Sequence, residues 1–333
     1  MKSAALMGDR PEVFEEVYGS GRRERIAGLC RLFPTLLTRE ELGRRFDELR
    51  ELEIVFSTWG MLALGPAELD RLPGLKIVFY GASSVKGFAA PLLDRGITVV
   101  SAWSVNALPV AEFVLAQILL ATKGYFRKLR HASLQGVGGD GASQVVYRGN
   151  FGETVAILGA GQVGRRLVRL LRDFALRVVV ADPHLTDDEA RDLGVEKVPL
   201  EEAFSRGYVI SNHIPMLPET RELLNAALFA RMRKDATFIN IANGHALSAQ
   251  GLAEVLAARR DVIALLDTLP PAEKRDLERL QALPNVFRSP HLAGSIGDER
   301  LRIGDAMIEE CERWLSGRPL LYRVTKEMLA RNA

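Results

Sequence analysis

Cysteine is scarce in this sequence. Its 333 residues include only Cys30 and Cys311, and no CxxC pair occurs. Two isolated cysteines exclude a disulfide framework and a cysteine zinc site, so no metal is predicted. The first residues also lack the long apolar core of a signal peptide. We therefore expect a protein of the reducing cytoplasm.

The sequence also has almost no net charge and no long hydrophobic run. It carries 44 Lys and Arg against 42 Asp and Glu, a formal charge of +2. This balance gives no reason to expect a nucleic acid or an anionic membrane as partner. No apolar run approaches the ~20 residues of a membrane span. With 47% hydrophobic and 26% charged residues, the chain is typical of a globular protein of about two domains.

Short apolar runs alternate with helical patterns in the first hundred residues. The runs are 53–57, 76–80 and 97–101, and the helical patterns are 66–72 and 88–95. Continuous Val, Ile and Phe runs suit strands that are buried on both faces of a parallel sheet. The alternation therefore predicts a small parallel α/β layer.

A denser alternation begins at Glu153, after a predicted helix over 107–129 and a glycine-rich loop from Gly136 to Gly141. It is typical of a doubly wound sheet. The predicted strands are 154–158, 178–181, 209–212, 237–241 and 263–267. The predicted helices are 163–174, 187–193, 200–205, 221–231 and 248–259, with a further helix over about 298–315.

A glycine fingerprint, Gly159-Ala-Gly161-Gln-Val-Gly164, follows the first of these strands and opens a helix. In that context the glycines permit a tight turn, approach of the backbone to a pyrophosphate, and close helix-on-strand packing. Asp182 ends the next strand, where a carboxylate accepts hydrogen bonds from ribose hydroxyls and repels a 2′-phosphate. The following Pro183 and His184 offer no arginine. We therefore predict NAD rather than NADP as the cofactor.

Further motifs occur in a fixed order along the chain. They are Asn106-Ala-Leu-Pro-Val-Ala-Glu112, Asn212-His-Ile-Pro215, Pro218-Glu-Thr-Arg221, Phe238-Ile-Asn240, Asp267 and Ser289-Pro-His-Leu-Ala-Gly294. Together with the glycine fingerprint, they make the chain resemble the D-isomer-specific 2-hydroxyacid dehydrogenases over nearly its whole length.

The resemblance implies an α/β fold in which a Rossmann-type doubly wound parallel sheet domain is inserted into a smaller, flavodoxin-like α/β substrate domain. The substrate domain would comprise residues 1–104 and 296–333, and the NAD-binding domain residues 105–295. The resemblance also implies an active site in the cleft between them. It further implies a homodimer formed through the NAD-binding domain.

The resemblance assigns roles to named residues of the inserted domain. His291 matches the family's catalytic histidine, whose imidazole takes the hydroxyl proton as hydride leaves for the nicotinamide, and returns it in the reverse direction. The implied NAD contacts are Val110, Gly159, Gly161, Gln162, Val163, Gly164, Asp182, His213, Ile214, Pro215, Thr220, Ile241, Ala242, Asp267 and Gly294.

Two other catalytic positions depart from the family pattern. Asn243 replaces the arginine that binds the substrate carboxylate, and an amide gives hydrogen bonds about half as strong as those of a guanidinium. Ala272 stands where the family has the glutamate that holds the histidine. The adjacent Glu273 could replace that glutamate only if the loop shifts by one residue.

The first domain supplies candidate substrate contacts. Trp59 follows a strand end, where it would either wall the pocket or pack in the core. Ser84, Val85 and Lys86 lie where the family offers backbone N–H groups to the substrate carboxylate. The Lys86 side chain would either add positive charge there or be solvated.

The sequence is compatible with three functions. The leading hypothesis is an NAD-dependent oxidoreductase that transfers hydride between NAD(H) and a hydroxy or keto compound, with a non-standard substrate because Asn243 and Ala272 replace Arg and Glu. The second is a catalytically silent NAD-binding regulatory or scaffold protein. The third is an ordinary 2-hydroxyacid dehydrogenase in which Glu273 and another cation compensate. His245 and Arg288 border the motifs and are expected to be surface residues.

Overall fold

The computed structural model describes residues 1–135 and 149–331, so the predicted loop from Gly136 to Gly141 lies outside the described residues. The chain divides into two compact units. The first comprises Met1–Asn106 together with the chain from Ser295 onward, and the second is Ala107–Gly294. These borders lie within two residues of those that the sequence predicted.

The first unit contains a five-stranded sheet in the order β2-β1-β3-β4-β5. All of its strand pairs are parallel, and this order is that of a flavodoxin-like sheet. A single 3₁₀ turn, Phe46–Leu49, precedes β3. The elements are β1 (Ser3–Leu6), α1 (Pro11–Tyr18), α2 (Arg22–Leu29), β2 (Arg31–Leu32), α3 (Arg39–Arg45), β3 (Leu52–Ser57), α4 (Pro66–Asp70), β4 (Ile77–Tyr80), α5 (Ala89–Asp94) and β5 (Thr98–Ser101).

The first two strands of this sheet were not predicted from the sequence. β1 contains two alanines, Ala4 and Ala5, both fully buried. Alanine has little intrinsic preference for strands, so the run did not register as one. Its pairing with β2 and β3 on either side makes it a strand of the sheet interior.

The second unit contains a seven-stranded parallel sheet in the order β12-β11-β10-β9-β6-β7-β8. Counted from β6, this is the Rossmann order 3-2-1-4-5-6 with one more strand at the edge. The elements are α6 (Trp103–Thr122), α7 (Tyr125–Gln135), β6 (Phe151–Leu158), α8 (Gln162–Leu171), β7 (Ala175–Ala181), α9 (Asp187–Leu193), β8 (Glu196–Lys197), α10 (Leu200–Arg206), β9 (Val209–Asn212), α11 (Ala226–Ala230), β10 (Thr237–Asn240), α12 (Ala249–Ala258), β11 (Ile263–Leu266), α13 (Lys274–Gln281) and β12 (Val286–Arg288).

Both faces of this seven-stranded sheet are covered. Along β6, Ala156 and Leu158 lie in one hydrophobic core while Val155 and Ile157 lie in the other. Successive strand residues point to opposite faces, so burial on both sides explains why the run shows no apolar–polar alternation. The predicted fold class, a Rossmann-type domain and a smaller flavodoxin-like α/β domain, is confirmed.

The last helices, α14 (Glu299–Leu315) and α15 (Lys326–Arg331), belong to the first unit. Ile303, Met307 and Cys311 of α14 are fully buried in the same core as Phe14 and Tyr18 of α1. The C-terminal part of the chain therefore completes a core that the N-terminal part begins.

Two predicted helices of the second unit differ from the structure. The helix expected over 107–129 is divided between α6 and α7, because Gly124 adopts a φ of +72° that ends α6. The helix expected over 221–231 is shortened to α11, and a separate 3₁₀ turn, Pro218–Thr220, lies just before the predicted range. Asn225 caps α11 through its side chain, which fixes the later start.

Helix α6 is long and apolar enough to cross a membrane by length and composition, with a mean hydropathy of 1.6. The expectation that no stretch approaches this length was therefore wrong. A core helix meets the same criterion, and Ala111, Val114 and Ile118 of α6 are fully buried in one core of the second unit. Burial of this face against the sheet accounts for part of the apolar composition.

Candidate active site

The predicted cofactor and catalytic residues of the second unit gather at one edge of its sheet. The glycine fingerprint follows β6, Asp182 follows β7 and His213 follows β9, while Asn243, Asp267 and His291 follow β10, β11 and β12. In a parallel sheet all carboxyl ends lie at the same edge, which is where α/β proteins bind their ligands.

The three glycines of the fingerprint differ in what an added Cβ would meet. Gly159 has a φ of +96°, and a Cβ there would lie 2.9 Å from the His213 carbonyl oxygen. A Cβ on Gly164 would overlap the carbonyl oxygen of Gly159, so this glycine permits α8 to pack closely on β6. A Cβ on Gly161 would meet nothing within 4 Å. The open side of the turn is therefore at Gly161, where α8 begins without a side-chain cap.

Asp182 is bound to this turn. Its carboxylate accepts hydrogen bonds from the backbone N–H groups of Ala160 at 2.6 Å and His184 at 2.8 Å. The nearby Arg165 donates to the Ala160 carbonyl and forms an ion pair of 2.7 Å with Glu189. The acidic group at the end of β7 is thus fixed in place, and this arginine is already engaged. Both features suit NAD better than a cofactor with a 2′-phosphate.

His213 lies beside the fingerprint with one nitrogen free. Its Nε2 shares a hydrogen bond of 2.8 Å with the Ser211 hydroxyl. Its Nδ1 is buried and has no hydrogen-bond partner among the described residues. Burial lowers the pKa of this imidazole to about 3, so the ring is neutral at pH 7. This edge of the sheet therefore has a buried nitrogen without a partner among the described residues, an open turn at Gly161 and no side-chain cap at the start of α8. These features fit a bound dinucleotide, which can supply the missing hydrogen-bond partners.

The loop after β10 is held by a buried amide network. The side chain of Asn212 donates to that of Asn240 at 2.8 Å. Asn240 in turn donates to the Ala242 carbonyl at 3.1 Å and to the Thr268 hydroxyl at 2.9 Å. The Thr268 hydroxyl also donates to the Ala242 carbonyl. These bonds join the ends of β9, β10 and β11 and fix the backbone just before Asn243.

Gly244 brings two of these loops together. A Cβ on Gly244 would overlap the backbone of Leu269 and Pro270. The absence of a side chain therefore lets the turn Gly244–Ala246 pack directly on the loop that follows β11. As a result Asn243 is placed next to the loop of Asp267.

Asp267 anchors the loop that carries His291. The residue is 5% exposed. Its Oδ1 accepts hydrogen bonds from the Ser289 hydroxyl at 2.5 Å and from Leu292 N–H at 2.8 Å, and its Oδ2 accepts one from Ala293 N–H at 3.1 Å. Asp267 thus fixes residues on both sides of the histidine.

His291 is exposed and has a φ of +57°. Its backbone N–H donates to the Ser289 carbonyl at 3.0 Å. This left-handed conformation is unfavourable for residues with a side chain and persists where the surroundings impose it. The tight turn presents the imidazole away from the core.

A cleft of about 370 Å³ lies between these loops. It brings together the predicted Asn243 and His291 and adds Arg288, which the sequence analysis had set aside as a surface residue. The lining is completed by Gly244, Asp267, Thr268, Leu269, Ser289 and Pro290. Asp267 is the one acidic residue among these lining residues, and both of its carboxylate oxygens accept bonds from the His291 loop.

Glu273 is not part of this cleft. It is an exposed residue directly before α13, and neither it nor Ala272 is among the lining residues. His245 is half-buried in the turn after Asn243, and its carbonyl accepts from Glu222 N–H. The described residues include no group of three His, Cys, Asp or Glu side chains that could hold a metal.

The other predicted NAD contacts are distributed along the same unit. Val110 is half-buried on α6, whereas Ile214 is buried. The Thr220 hydroxyl donates to the Pro215 carbonyl at 2.7 Å and accepts from Leu217 N–H at 3.0 Å, so it holds the loop after β9. The remaining ones are Gln162, which is exposed, and Val163, Ile241, Ala242 and Gly294, which are half-buried.

The predicted substrate residues lie in the first unit. Trp59 is half-buried, packs against its cores, and has the Arg300 guanidinium 5.4 Å from its ring centre. Val85 is buried in a core, so only its backbone is available to a ligand. Ser84 and Lys86 are exposed in the loop after β4. Trp59 is thus a packing residue whatever else it contacts.

Three side chains that position the loops of the cleft had no predicted role. Asn240 and Ser289 stand in the sequence motifs and Thr268 does not, and nothing in their spacing shows which groups they contact. Arg288 did carry a signal, since it directly precedes the Ser-Pro-His motif. Its face of the sheet could not be known before β12 was placed.

The chain resembles known proteins over most of its length. Residues 116–293 match the family described as D-isomer specific 2-hydroxyacid dehydrogenase, NAD binding domain. The D-3-phosphoglycerate dehydrogenase of Bacillus subtilis (strain 168) is 27% identical over 261 residues, which cover 77% of this chain and 48% of that protein. The chain spans about half the length of the curated D-3-phosphoglycerate dehydrogenases that it matches.

Two further proteins match over similar shares of both chains. YoaD of Bacillus subtilis (strain 168), provisionally named a 2-hydroxyacid dehydrogenase, is 32% identical over 281 residues, covering 77% of each chain. The crystal structure of a phosphoglycerate oxidoreductase from Rhizobium etli gives a TM-score of 0.77 at 24% identity. It covers 98% of this chain and 99% of that one. At this identity the structural likeness concerns the fold.

Proposed function

Because the chain belongs to the D-isomer-specific 2-hydroxyacid dehydrogenase family and carries its NAD-binding domain, we propose that it is an NAD-dependent oxidoreductase acting on a hydroxy or keto compound. The observation that carries the proposal is the cleft in which His291, Asn243 and Arg288 meet at the carboxyl edge of the sheet. NAD(H), when bound, supplies or accepts the hydride at the substrate carbon.

His291 is assigned the proton transfer. In the oxidation direction its imidazole takes the proton from the substrate hydroxyl, and in the reduction direction it returns a proton to the carbonyl oxygen. Asp267 positions this histidine through the three hydrogen bonds that fix its loop. The Asn243 amide is assigned a hydrogen bond to the substrate, since it lines the cleft and its side chain has no partner among the described residues.

The substrate site differs from that of an ordinary family member. Asn243 supplies a neutral donor where a guanidinium is expected, and no glutamate among the described lining residues is available to His291. A neutral amide gives hydrogen bonds about half as strong as charge-assisted ones. We therefore infer a substrate whose acid group is bound by other residues than in ordinary members of the family.

A catalytically silent NAD-binding protein is the second candidate. The same two departures, Asn243 and Ala272, support it. The two candidates differ in one respect that can be measured, because a silent protein binds NAD without turning over any substrate.

The test is turnover by the purified protein. NADH would be offered with 2-oxo acids, and NAD⁺ with 2-hydroxy acids and neutral alcohols, while absorbance at the NADH band is followed. We expect turnover that falls about 10²- to 10⁴-fold in His291→Gln. NAD binding without turnover of any compound would instead establish the silent protein, and activity that survives His291→Gln would remove the histidine from the mechanism.

We also propose a cytoplasmic homodimer formed through the NAD-binding unit. Three large apolar side chains on the consecutive helices α6 and α7 are exposed, namely Leu120 (41%), Tyr125 (47%) and Leu129 (42%), and this grouping supports an interface there. Light scattering is expected to give the mass of two chains, and that of one chain for Leu129→Glu. A parent protein that stays monomeric at high concentration would contradict this proposal.

A further inference from the structure

Arg288 is the last residue of β12 and lines the cleft that contains His291 and Asn243. Its position follows from the alternation along this edge strand. Val286 packs on one core of the second unit and Phe287 on the other, so Arg288 lies on the same face as Val286. That face also carries Ala246, which ends the turn after Asn243.

The guanidinium of Arg288 has no partner among the described residues. Within residues 1–135 and 149–331 it forms no hydrogen bond, ion pair or ring contact, and the residue is exposed. Asp267 lines the same cleft, yet no ion pair joins the two. The carboxylate of Asp267 accepts its bonds from Ser289, Leu292 and Ala293 instead. The charge of Arg288 is therefore available to a ligand.

We propose that Arg288 binds the carboxylate of the substrate, in the role for which Asn243 lacks the charge. The proposal rests on the proposed function and makes the substrate class a 2-hydroxy or 2-oxo acid. A guanidinium binds a carboxylate through two parallel, charge-assisted hydrogen bonds, which fixes the orientation of the acid as well as its position.

The arrangement gives one small ligand both groups that it needs. In a 2-oxo acid the carboxylate is bonded directly to the reacting carbon, so the cation and the acid–base group must lie close together. Arg288 at the end of β12 and His291 in the following loop are three residues apart in sequence, and both line a cleft of about 370 Å³. Asn243 lines the same cleft and can donate its amide N–H to the second carboxylate oxygen or to the carbonyl oxygen.

The first experiment measures binding without turnover. Oxamate, an unreactive analogue of a 2-oxo acid, would be titrated into the NADH-loaded protein while the nicotinamide fluorescence is followed. We expect the oxamate Kd to rise about 10- to 100-fold in Arg288→Met and less in Arg288→Lys, which keeps the charge but loses the planar fork. Arg231→Met is the matched control, since Arg231 is an exposed arginine that precedes β10 at the opposite end of the strands.

The second experiment measures turnover of paired substrates. A 2-oxo acid and its methyl ester would be compared in the parent and in Arg288→Met. We expect KM to rise about 10- to 100-fold for the acid and to stay within about twofold for the ester.

The outcomes separate this inference from the proposed function. Oxamate binding that depends on Arg288, in a protein without turnover, upholds the inference and overturns the function. Turnover of acids with unchanged constants in Arg288→Met upholds the function and overturns the inference. Absence of both turnover and oxamate binding overturns both. An NADH affinity equal to that of the parent shows that Arg288→Met is folded.

Discussion

The loop that carries His291 depends on one buried carboxylate, and Asp267→Asn tests this dependence. The change keeps the shape of the side chain but replaces one acceptor oxygen with an NH₂ group. Asp267 accepts three hydrogen bonds, from the Ser289 hydroxyl and from the backbone N–H groups of Leu292 and Ala293. An amide has a single oxygen, so in either orientation at least one of these donors faces another donor.

The magnitude follows from the number of bonds lost. A hydrogen bond to a charged group contributes about 1.5–3 kcal/mol, and a buried donor without an acceptor costs about 1–3 kcal/mol. Losing the interaction with Ala293 and weakening the other two should lower the free energy of unfolding by about 2–4 kcal/mol. The same bonds hold the loop on which His291 adopts its left-handed φ, so turnover should fall as well.

Urea unfolding followed by circular dichroism measures the first effect, and steady-state turnover measures the second. Asp173→Asn is the control, because Asp173 is exposed and has no side-chain partner among the described residues. It should change stability by less than about 0.5 kcal/mol. If the free energy of unfolding of Asp267→Asn also lies within about 0.5 kcal/mol of the parent value, this account of the loop is refuted.

Two further predictions concern the NAD-binding edge. Gly161→Ala should weaken NAD binding in calorimetry without changing the unfolding midpoint, because its Cβ would enter the open side of the turn. Gly164→Ala should lower both the NAD affinity and the unfolding midpoint, because its Cβ would overlap the Gly159 carbonyl. Equal stability of the two variants would contradict this prediction. The pKa of His213 is lowered to about 3 in the folded protein, against about 6.5 in the unfolded chain. Between these two pH values the unfolded chain binds a proton at this imidazole and the folded protein does not. From pH 8 to pH 5 the free energy of unfolding of the parent should therefore fall by about 2 kcal/mol more than that of His213→Gln. Parallel pH profiles of the two proteins would refute this prediction.

The sequence was sufficient wherever a residue type has one structural use. Apolar runs rich in Val and Ile predicted β6, β7, β9, β10 and β11, because two-sided burial leaves few positions for polar residues, whereas the exposed edge strand β8 (Glu196–Lys197) has no such run. The glycine fingerprint predicted its turn, since an added Cβ at Gly164 would overlap the backbone. The family motifs likewise pointed to His291 and Asn243, which line one cleft of the structure.

The sequence was insufficient wherever the local pattern was weak or the partners were distant. β1 has an alanine pair with little strand preference, and only its pairing with β2 and β3 makes it a strand. The predicted helix over 107–129 is interrupted at Gly124, and a single glycine is compatible with either outcome before its φ is known.

The sequence by itself thus predicted the α/β class, the dinucleotide turn and the candidate histidine, because each follows from residues within short segments. Only the tertiary structure decided which side chains share the cleft. Asn243, Asp267 and Arg288 follow or end three different strands, and the parallel sheet places those ends side by side. The alternation along β12 then decides that Arg288 lies on the face of Val286, toward the turn after Asn243. A property of the sheet therefore places the positive charge of Arg288 in the same cleft as Asn243.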